Sequence, residues 1–327
     1  MTTLITGASG FLGGRLAQLL AAQGEDVIVL ARRSSDLGHL ARSPHRIALG
    51  DLTNLASLRN AAKGATHIFH CAACSTDWAP WSTYYASNVT GTQNLLNAAL
   101  HSPTLERFVH VSTTDVYGYP AIPCDESTPT RDSGLPYSQT KRLGEIAVWK
   151  AHEDHGLPTT ILRPATIYGP RGKDFTVEIA TLLRQRLMAT IDRGRAPGGF
   201  AYVDNVAQAM IQAGNHPATL GEAFNLADGT NATWSEYLNL FAEALGTKPP
   251  WMNLSLTVAT ILARGFETPW RLLHLRSRPL LTRHAVLLLA LNQEFPTTKA
   301  RETFAFNPKV SLQEGITRST AWLQNSN

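Results

Sequence analysis

Thr3-Leu-Ile-Thr-Gly-Ala-Ser-Gly-Phe-Leu-Gly13 opens the chain and decides how the rest is read. Residues 3–6 are β-branched or apolar, the composition of a strand buried on both faces. Gly7, Gly10 and Gly13 follow at G-x-x-G-x-x-G spacing. The first lets the chain turn out of the strand and the second lets backbone approach a pyrophosphate. The third removes a side chain where helix and sheet press together. From Phe11, Leu12, Leu16, Leu19 and Leu20 share one helical side until Gly24. Phosphate at that helix N-terminus meets free N–H groups and the positive dipole end. A plain glycine-rich turn carries the same triplet. The strand before it, the helix after it and a second strand at 27–30 favour a dinucleotide site.

Composition narrows the class. The 327 residues are 43% hydrophobic and 17% charged, enough for one large α/β unit or one and a half. Strand residues begin at position 3, so no signal peptide is expected ahead of them. Three cysteines, Cys71, Cys74 and Cys124, make no disulfide framework and fit a reducing cytoplasm. Cys71-Ala-Ala-Cys74 has redox spacing, but no resolving helix clearly follows, and buried thiols account for it as well. A net charge of +4 permits an anionic partner without requiring one. Basic residues are dispersed except around 184–195 and 264–283, with neither a basic stripe nor a reading helix, so no nucleic-acid partner is expected. No internal repeat is evident.

Further along, the strand at 26–30 runs into Ala31-Arg32-Arg33-Ser34-Ser35. An acidic residue here would hold the ribose diol of NAD; two arginines and two hydroxyls suit a 2′-phosphate instead. The alternative is a solvated basic loop. Strands are expected at 47–49, 66–70, 108–111, 159–162 and 223–226, and helices at 84–100, 136–155 and 234–245. Asp51 and Leu52 leave the third strand, where a carboxylate could accept from the adenine amine. Ala72 and Ala73 follow the fourth, and small residues there let backbone lie against a cofactor. The expected fold is a doubly wound parallel α/β sheet of Rossmann type. Residues 1–168 form the dinucleotide unit, and 169–327 form a smaller, partly helical substrate region whose segment 200–228 returns to the main sheet.

Residues 249–291 are apolar and carry Arg264, Arg271, Arg276, Arg278 and Arg283. Their uncharged stretches are shorter than the roughly 20 residues of a membrane span. Buried cap helices and a hydrophobic lid that meets lipid or a greasy substrate both fit.

Tyr137-Ser-Gln-Thr-Lys141 sets a phenol and an ammonium on one helix face. Tyrosine is a poor base near neutrality unless a cation stabilises its phenolate, which Lys141 could do. That spacing alone is common on solvated helices. Val111-Ser112-Thr113-Thr114-Asp115 strengthens it by putting hydroxyls past the fifth strand, on the same sheet edge as the glycine loop. No metal site is expected, because His152 and His155 lie three apart on a charged, solvated helix. A G-x-S-x-G elbow is absent.

These motifs together resemble the extended short-chain dehydrogenase/reductases over nearly the whole chain. The matching stretches are 6–13, Gly50-Asp51-Leu52, the Asn88 region, 112–118, 137–141, 163–170 and Tyr202-Val-Asp-Asn205. The resemblance implies a seven-stranded nucleotide-binding fold. It makes Thr113 the catalytic hydroxyl, Tyr137 the acid/base, and Lys141 the residue that holds Tyr137 and the nicotinamide ribose. Pro164, Thr166 and Ile167 would line the nicotinamide carboxamide. The cofactor set implied is Gly7, Ser9, Gly10, Phe11, Leu12, Arg32, Arg33, Ser34, Asp51, Leu52, Ala72, Ala73, Asn88, Tyr137, Lys141, Pro164, Thr166 and Ile167. The 32–35 loop is similar to that of NADP-using GDP-mannose dehydratases, which favours NADP and leaves NAD open.

Sugar-nucleotide enzymes of this family usually carry an arginine where Gly198-Gly-Phe-Ala201 stands. The apolar C-terminal third looks like the 3β-hydroxysteroid dehydrogenase branch, which includes reductases of 2-alkyl-3-oxoalkanoic acids. The implied activity interconverts a secondary alcohol and a ketone on a small hydrophobic substrate. A nucleotide-sugar epimerase or dehydratase is the rival enzyme, and a non-catalytic dinucleotide sensor the rival of another class. A homodimer and a membrane-surface contact stay open.

Overall fold

The computed structural model describes residues 1–275 and 277–325; Arg276, among the arginines named above, lies outside them. The strands are β1 (Thr2–Thr6), β2 (Asp26–Ala31), β3 (Arg46–Leu49), β4 (His67–His70), β5 (Arg107–Val111) and β6 (Thr159–Pro164), then β7 (Thr166–Tyr168), β8 (Ala189–Ile191), β9 (Phe200–Tyr202), β10 (Glu222–Leu226) and β11 (Met252–Leu254). Seven of them pair in the order β10-β6-β5-β4-β1-β2-β3, every neighbour parallel. This is the doubly wound sheet expected from the sequence, with β10 returning to pair with β6.

The helices are α1 (Phe11–Ala22), α2 (Leu55–Ala62), α3 (Trp81–Tyr84), α4 (Gly91–Leu100), α5 (Pro136–His155) and α6 (Ile179–Arg184). After them come α7 (Val203–Asn215), α8 (Trp234–Leu245), α9 (Leu256–Leu272), α10 (Arg283–Ala290), α11 (Thr298–Phe304) and α12 (Leu312–Asn325). A π-helical segment, Tyr85–Thr90, joins α3 to α4, so the helix expected at 84–100 begins earlier and bulges at Asn88.

Neighbouring strand residues feed opposite cores, as a period of two requires. Leu4, Ile68 and Phe108 pack with Leu58, Leu95 and Val148 from α2, α4 and α5. Ile5, Phe69 and Val109 pack with Leu16, Leu20, Val206 and Met210 from α1 and α7. Each such buried side chain contributes about 1.5–3 kcal/mol, so the two cores fix the sheet's position before any polar contact is considered.

The Tyr202-Val-Asp-Asn205 motif works as a clasp. Asp204 takes a two-point ion pair from Arg15 of α1, with bonds of 2.6 and 2.9 Å, and a second pair from Arg318 of α12. Asn205 accepts from the backbone N–H groups of Lys309 and Val310 and donates to Asp228. Two short parallel pairs, β7–β9 and β8–β11, were not legible in the sequence; each has three residues per strand.

In the region after β11, Ala259, Ala263 and Val286 form a small core with Ile191 of β8. Helix α9 turns Ala259, Ala263 and Glu267 inward and leaves Val258 and Ile261 in solvent, while Leu262, also exposed, borders the cleft at the strand ends. Of the two alternatives for this segment, α9 shows both: Ala259, Ala263 and Glu267 are buried, Leu262 and Phe266 line the cleft, and Val258 and Ile261 face solvent.

Candidate active site

The carboxyl ends of the parallel strands open into a cleft of about 1140 Å³. At one end the glycine loop forms its floor. Gly7 adopts φ +75°, and a Cβ there would sit 2.7 Å from the Ala72 nitrogen. A Cβ on Gly13 would sit 2.6 Å from the Gly7 carbonyl oxygen. Both positions exclude any side chain. Gly10 caps α1 with no side-chain bond, which leaves the first-turn N–H groups free for a phosphate. These features fit a dinucleotide pyrophosphate.

Ser9, Phe11, Leu12, Asp51, Leu52, Ala72, Ala73, Pro164, Thr166 and Ile167 line the same cleft, as expected. Asp51 accepts from the hydroxyl and the N–H of Thr53, which hold its carboxyl below the usual carboxylate range. In the basic loop the structure brings Arg32 and Ser35 to the cleft, and Arg33 and Ser34 are not among its lining residues. The Arg32 N–H donates to the Ser35 hydroxyl at 3.0 Å. Asn88 lies behind the wall rather than on it. Its Oδ1 accepts from the Cys74 N–H at 2.7 Å, and its Nδ2 donates to the Thr140 hydroxyl, tying the loop after β4 to α5. Cys71 and Cys74 carry free thiols pushed up by burial, Cys71 to about 12, which removes the thiolate that redox chemistry needs.

Thr113, Tyr137 and Lys141 all line the middle of the cleft. Pro136 opens α5 at its first turn, and the four-residue spacing carries Tyr137 and Lys141 along one face. Lys141 is 5% exposed and donates to the Val111 carbonyl at 2.6 Å. Burial lowers its pKa to about 8, against the opposing influence of Glu145 and Cys71. Burial raises the Tyr137 phenol and the Asp115 charge adds to that, whereas a hydrogen bond with Thr113 pulls the other way. The trio thus brings together a phenol with a raised pKa, an ammonium with a lowered one and a hydroxyl.

Behind it lies a buried network. Ser112 donates to Glu145 at 2.7 Å, Glu145 pairs with Arg163, and Arg163 donates to the Tyr117 hydroxyl at 2.8 Å. Sequence reading missed this brace. Arg163-Pro164 marked the end of a strand and the start of the 163–170 motif, not an ion-pair partner, and Glu145 is one of several polar residues on a long helix.

The cap adds a residue that sequence reading also missed. His284 of α10 donates through Nε2 to Asp115 at 3.0 Å and stacks on Tyr137, ring centres 5.6 Å apart. Asp115 also accepts from Tyr119 at 2.7 Å. Burial opposes the His284 imidazolium, but the Asp115 hydrogen bond and the charges of Asp115, Asp77 and Asp174 outweigh it and raise its pKa. Asp115 and His284 are 169 residues apart; Asp115 falls within the 112–118 stretch, but no local pattern marks His284. Three of the arginines in the 249–291 segment are engaged in ion pairs within the protein. Arg278 is held by Asp77, at 2.6 and 2.8 Å, and by Glu178, while Arg271 and Arg283 both pair with Glu267.

Known proteins align with this arrangement. A 2-alkyl-3-oxoalkanoate reductase of Stenotrophomonas maltophilia is 29% identical over 98% of the chain and 99% of its own length. The 4-hydroxy-2-methyl-3-oxo-4-farnesyl-3,4-dihydroquinoline-1-oxide ketoreductase of Stigmatella aurantiaca is 30% identical over 97% of the chain and 95% of its own length. A UDP-glucuronic acid 4-epimerase of Bacillus cereus, solved with NAD, shares the fold with a TM-score of 0.80 at 22% identity, covering 99% of this chain and 97% of its own. The family model described as "NAD dependent epimerase/dehydratase family" matches residues 3–227. With the glycine cradle, the seven-stranded sheet and the Thr113–Tyr137–Lys141 cleft in place, the chain belongs to that NAD(P)-dependent family of extended short-chain dehydrogenase/reductase enzymes.

Proposed function

We propose that this enzyme is an NADP(H)-preferring oxidoreductase that interconverts a secondary alcohol and a ketone on a hydrophobic substrate. One observation carries the reading: the hydroxyl–phenol–ammonium trio shares its cleft with an apolar wall of Leu254, Leu262, Phe266, Leu281, Leu288 and Leu289. The two relatives named above, a ketoreductase and an oxoalkanoate reductase, support it. When bound, the nicotinamide supplies or accepts the hydride.

The chain's own residues then do the following. Thr113 holds the carbonyl oxygen, and Tyr137 gives that oxygen its proton in the reductive direction or removes it in the oxidative one. Lys141 stabilises the phenolate that is left and holds the cofactor ribose. Arg32 at the cleft favours a 2′-phosphate, since no acidic residue stands at 31–35 to hold a ribose diol.

The nucleotide-sugar reading has the fold neighbours on its side. Against it, Gly199 sits at φ +59° with its backbone against Gln293, so a Cβ there would lie 2.4 Å from the Gln293 carbonyl oxygen. No side chain reaches from that point toward a diphosphate. A sensor would have no use for the Thr113–Tyr137–Lys141 trio. The same reading includes a lipid-surface contact by the outward stripe of α9, where Val258 and Ile261 are exposed. Among the described residues no helix is long and apolar enough to cross a membrane.

The test is NADPH oxidation against a panel of long-chain 3-oxo acids, steroid ketones and sugar nucleotides, with Tyr137→Phe beside the unmutated enzyme. Lipid-like ketones are expected to turn over, and the substitution to cost about 10²–10⁴-fold in rate while NADPH fluorescence titration is unchanged. Saturable turnover of a sugar nucleotide with none of any ketone would overturn the reading.

A further inference from the structure

Lys141 has to stay charged in a place that discourages charge. Its side chain is buried, and that burial draws its pKa down. The groups that face it from the neighbouring elements are few. His70 of β4 and His110 of β5 are held neutral by burial. Cys71, just after β4, stays a thiol, its pKa pushed up to about 12. Tyr137, one turn earlier on α5, is a phenol raised by burial. Glu145, one turn later on α5, is left as the negative charge that acts on the ammonium.

This carboxylate acts without touching the ammonium. Its oxygens accept from the Ser112 hydroxyl at 2.7 Å, from the Arg163 guanidinium and from the Trp149 indole N–H at 3.4 Å. Lys141 gives one hydrogen to the Val111 carbonyl at 2.6 Å, and an ammonium carries three. The other two remain for the phenol and for a cofactor ribose. A carboxylate paired directly with Lys141 would claim one of them.

The Ser112 bond adds a second effect. Ser112 stands between Val111, whose carbonyl fixes the Lys141 ammonium, and Thr113, which lines the cleft. Its backbone N–H donates to the Leu162 carbonyl at 2.7 Å, and its hydroxyl ties the end of β5 to α5. That tie falls where Thr113, Tyr137 and Lys141 have to meet. We propose that Glu145 is a positioning residue for the reaction: it holds the positive charge on Lys141 without taking its hydrogens, and through Ser112 it sets Thr113 and the Val111 carbonyl against α5. The proposal rests on the roles given to the trio above and adds to them the residue that keeps the trio charged and aligned.

Two substitutions split these effects. Glu145→Gln keeps an acceptor for Ser112 and removes the charge, whereas Glu145→Asp keeps the charge and withdraws it from Ser112. The first readout is kcat against pH for reduction of 3-dodecanone by NADPH, which is expected to break near pH 8 in the unmutated enzyme. Glu145→Gln should move the break toward lower pH by about one unit or more. Glu145→Asp should leave the break in place and lower the plateau by about tenfold. The second readout needs no turnover. The contribution of Lys141 to stability rises with pH only above its pKa in the fold, so the rise in urea midpoint should begin about one unit lower in Glu145→Gln. Where Glu145→Gln does not fold, the paired change Glu145→Gln with Arg163→Gln removes both charges and carries the same expectation. A break that stays at the same pH in both readouts, or one that Glu145→Asp moves as far as Glu145→Gln does, overturns the proposal. A shifted stability curve in an enzyme that reduces none of the ketones keeps the role of Glu145 on Lys141 and sinks the ketone reading, whereas turnover with an unmoved break sinks this role alone.

Discussion

Two isoleucines set the halves of this molecule against each other. Ile68 in β4 is 0% exposed, whereas Ile261 in α9 is 64% exposed, and Leu272 at the end of α9 reaches 73%. In the sheet, apolar residues alternate between two cores that α1 and α7 cover on one side and α2, α4 and α5 on the other. In α9 of the cap, Ala259 and Ala263 pack inward, Leu262 and Phe266 line the cleft, and Ile261 and Leu272 face solvent. The sheet half is determined by its own packing, so its sequence reads as fold. The cap leaves several of its large apolar residues in solvent or against the cleft, so its sequence does not read as a packed core. If that contrast is right, changes on the sheet side damage stability and every substrate alike, and changes in the cap touch only some substrates.

The largest effect is expected at the brace behind Thr113, Tyr137 and Lys141. Glu145 and Arg163 have side chains 3% and 5% exposed, and Ser112 and Tyr117 complete their hydrogen bonds. Glu145→Ala leaves the Arg163 guanidinium buried without its counter-ion, which costs about 3–5 kcal/mol. Urea unfolding should show a lower midpoint of that size. By contrast, Arg271→Ala removes a half-exposed partner of Glu267, which Arg283 still holds, and should cost no more than about 1 kcal/mol. Equal losses at the two sites would break the comparison.

Next in size is the pH dependence of Lys141. Its pKa in the fold is about 8, against 10.5 for the ordinary side chain. The unfolded chain therefore holds the proton more tightly, and the lysine's contribution to stability rises as pH climbs from 8 toward 10.5. At pH 7 its burial as an ammonium costs on the order of 3 kcal/mol. Function has the opposite sign, because the charge that supports Tyr137 is present below about 8 and lost above it. Reductive turnover should fall by about tenfold per pH unit beyond that point. Lys141→Met should melt at a higher temperature at pH 7 and show almost no turnover. A mutant that melts lower would show that the ammonium is not the strained partner here.

How much of this could be read from the sequence follows the same division. The glycine loop, the six early strands, the return of β10 and the helix that bears Tyr137 and Lys141 were legible, because each follows a local period or a fixed spacing. Asn88, Glu145 and Arg163 were visible as residues but not as supports, since their partners lie on other elements. His284 left no mark at all. Its significance comes from a contact with Asp115 that only the folded cap creates. The short pairs β7–β9 and β8–β11 escaped because three residues show no alternation.

A smaller effect tests the cofactor end of the sheet half. Arg32 lines the cleft where the sequence offers no acid for a ribose diol. Losing one charge-assisted bond to a 2′-phosphate costs about 1.5–3 kcal/mol. Arg32→Ala should therefore weaken NADPH by one to two orders of magnitude and leave NADH nearly unchanged, as read by fluorescence titration. Preference for NADH in the unmutated enzyme would overturn the assignment to Arg32.

The smallest effect on stability is expected where the contrast began. Ile261→Ser removes a side chain already in water, so the folded state should lose no more than about 0.5 kcal/mol. Ile68→Ser buries a hydroxyl and empties a packed site, which adds a desolvation cost to several lost methylene contacts. The two variants should thus differ by several kcal/mol in urea although the chemical change is identical. If the α9 stripe meets a lipid surface, Ile261→Ser should also reduce co-sedimentation with anionic vesicles while sparing turnover of a short, water-soluble ketone. Chain length gives the independent check. Leu262, Phe266, Leu288 and Leu289 line the cleft, so each added methylene that they cover should strengthen binding by about 0.8 kcal/mol until the wall ends. Ile261 is not among the cleft-lining residues, so its substitution should leave that slope intact. A slope that flattens in Ile261→Ser would place the alkyl chain on the outside of α9 and erase the distinction between wall and surface.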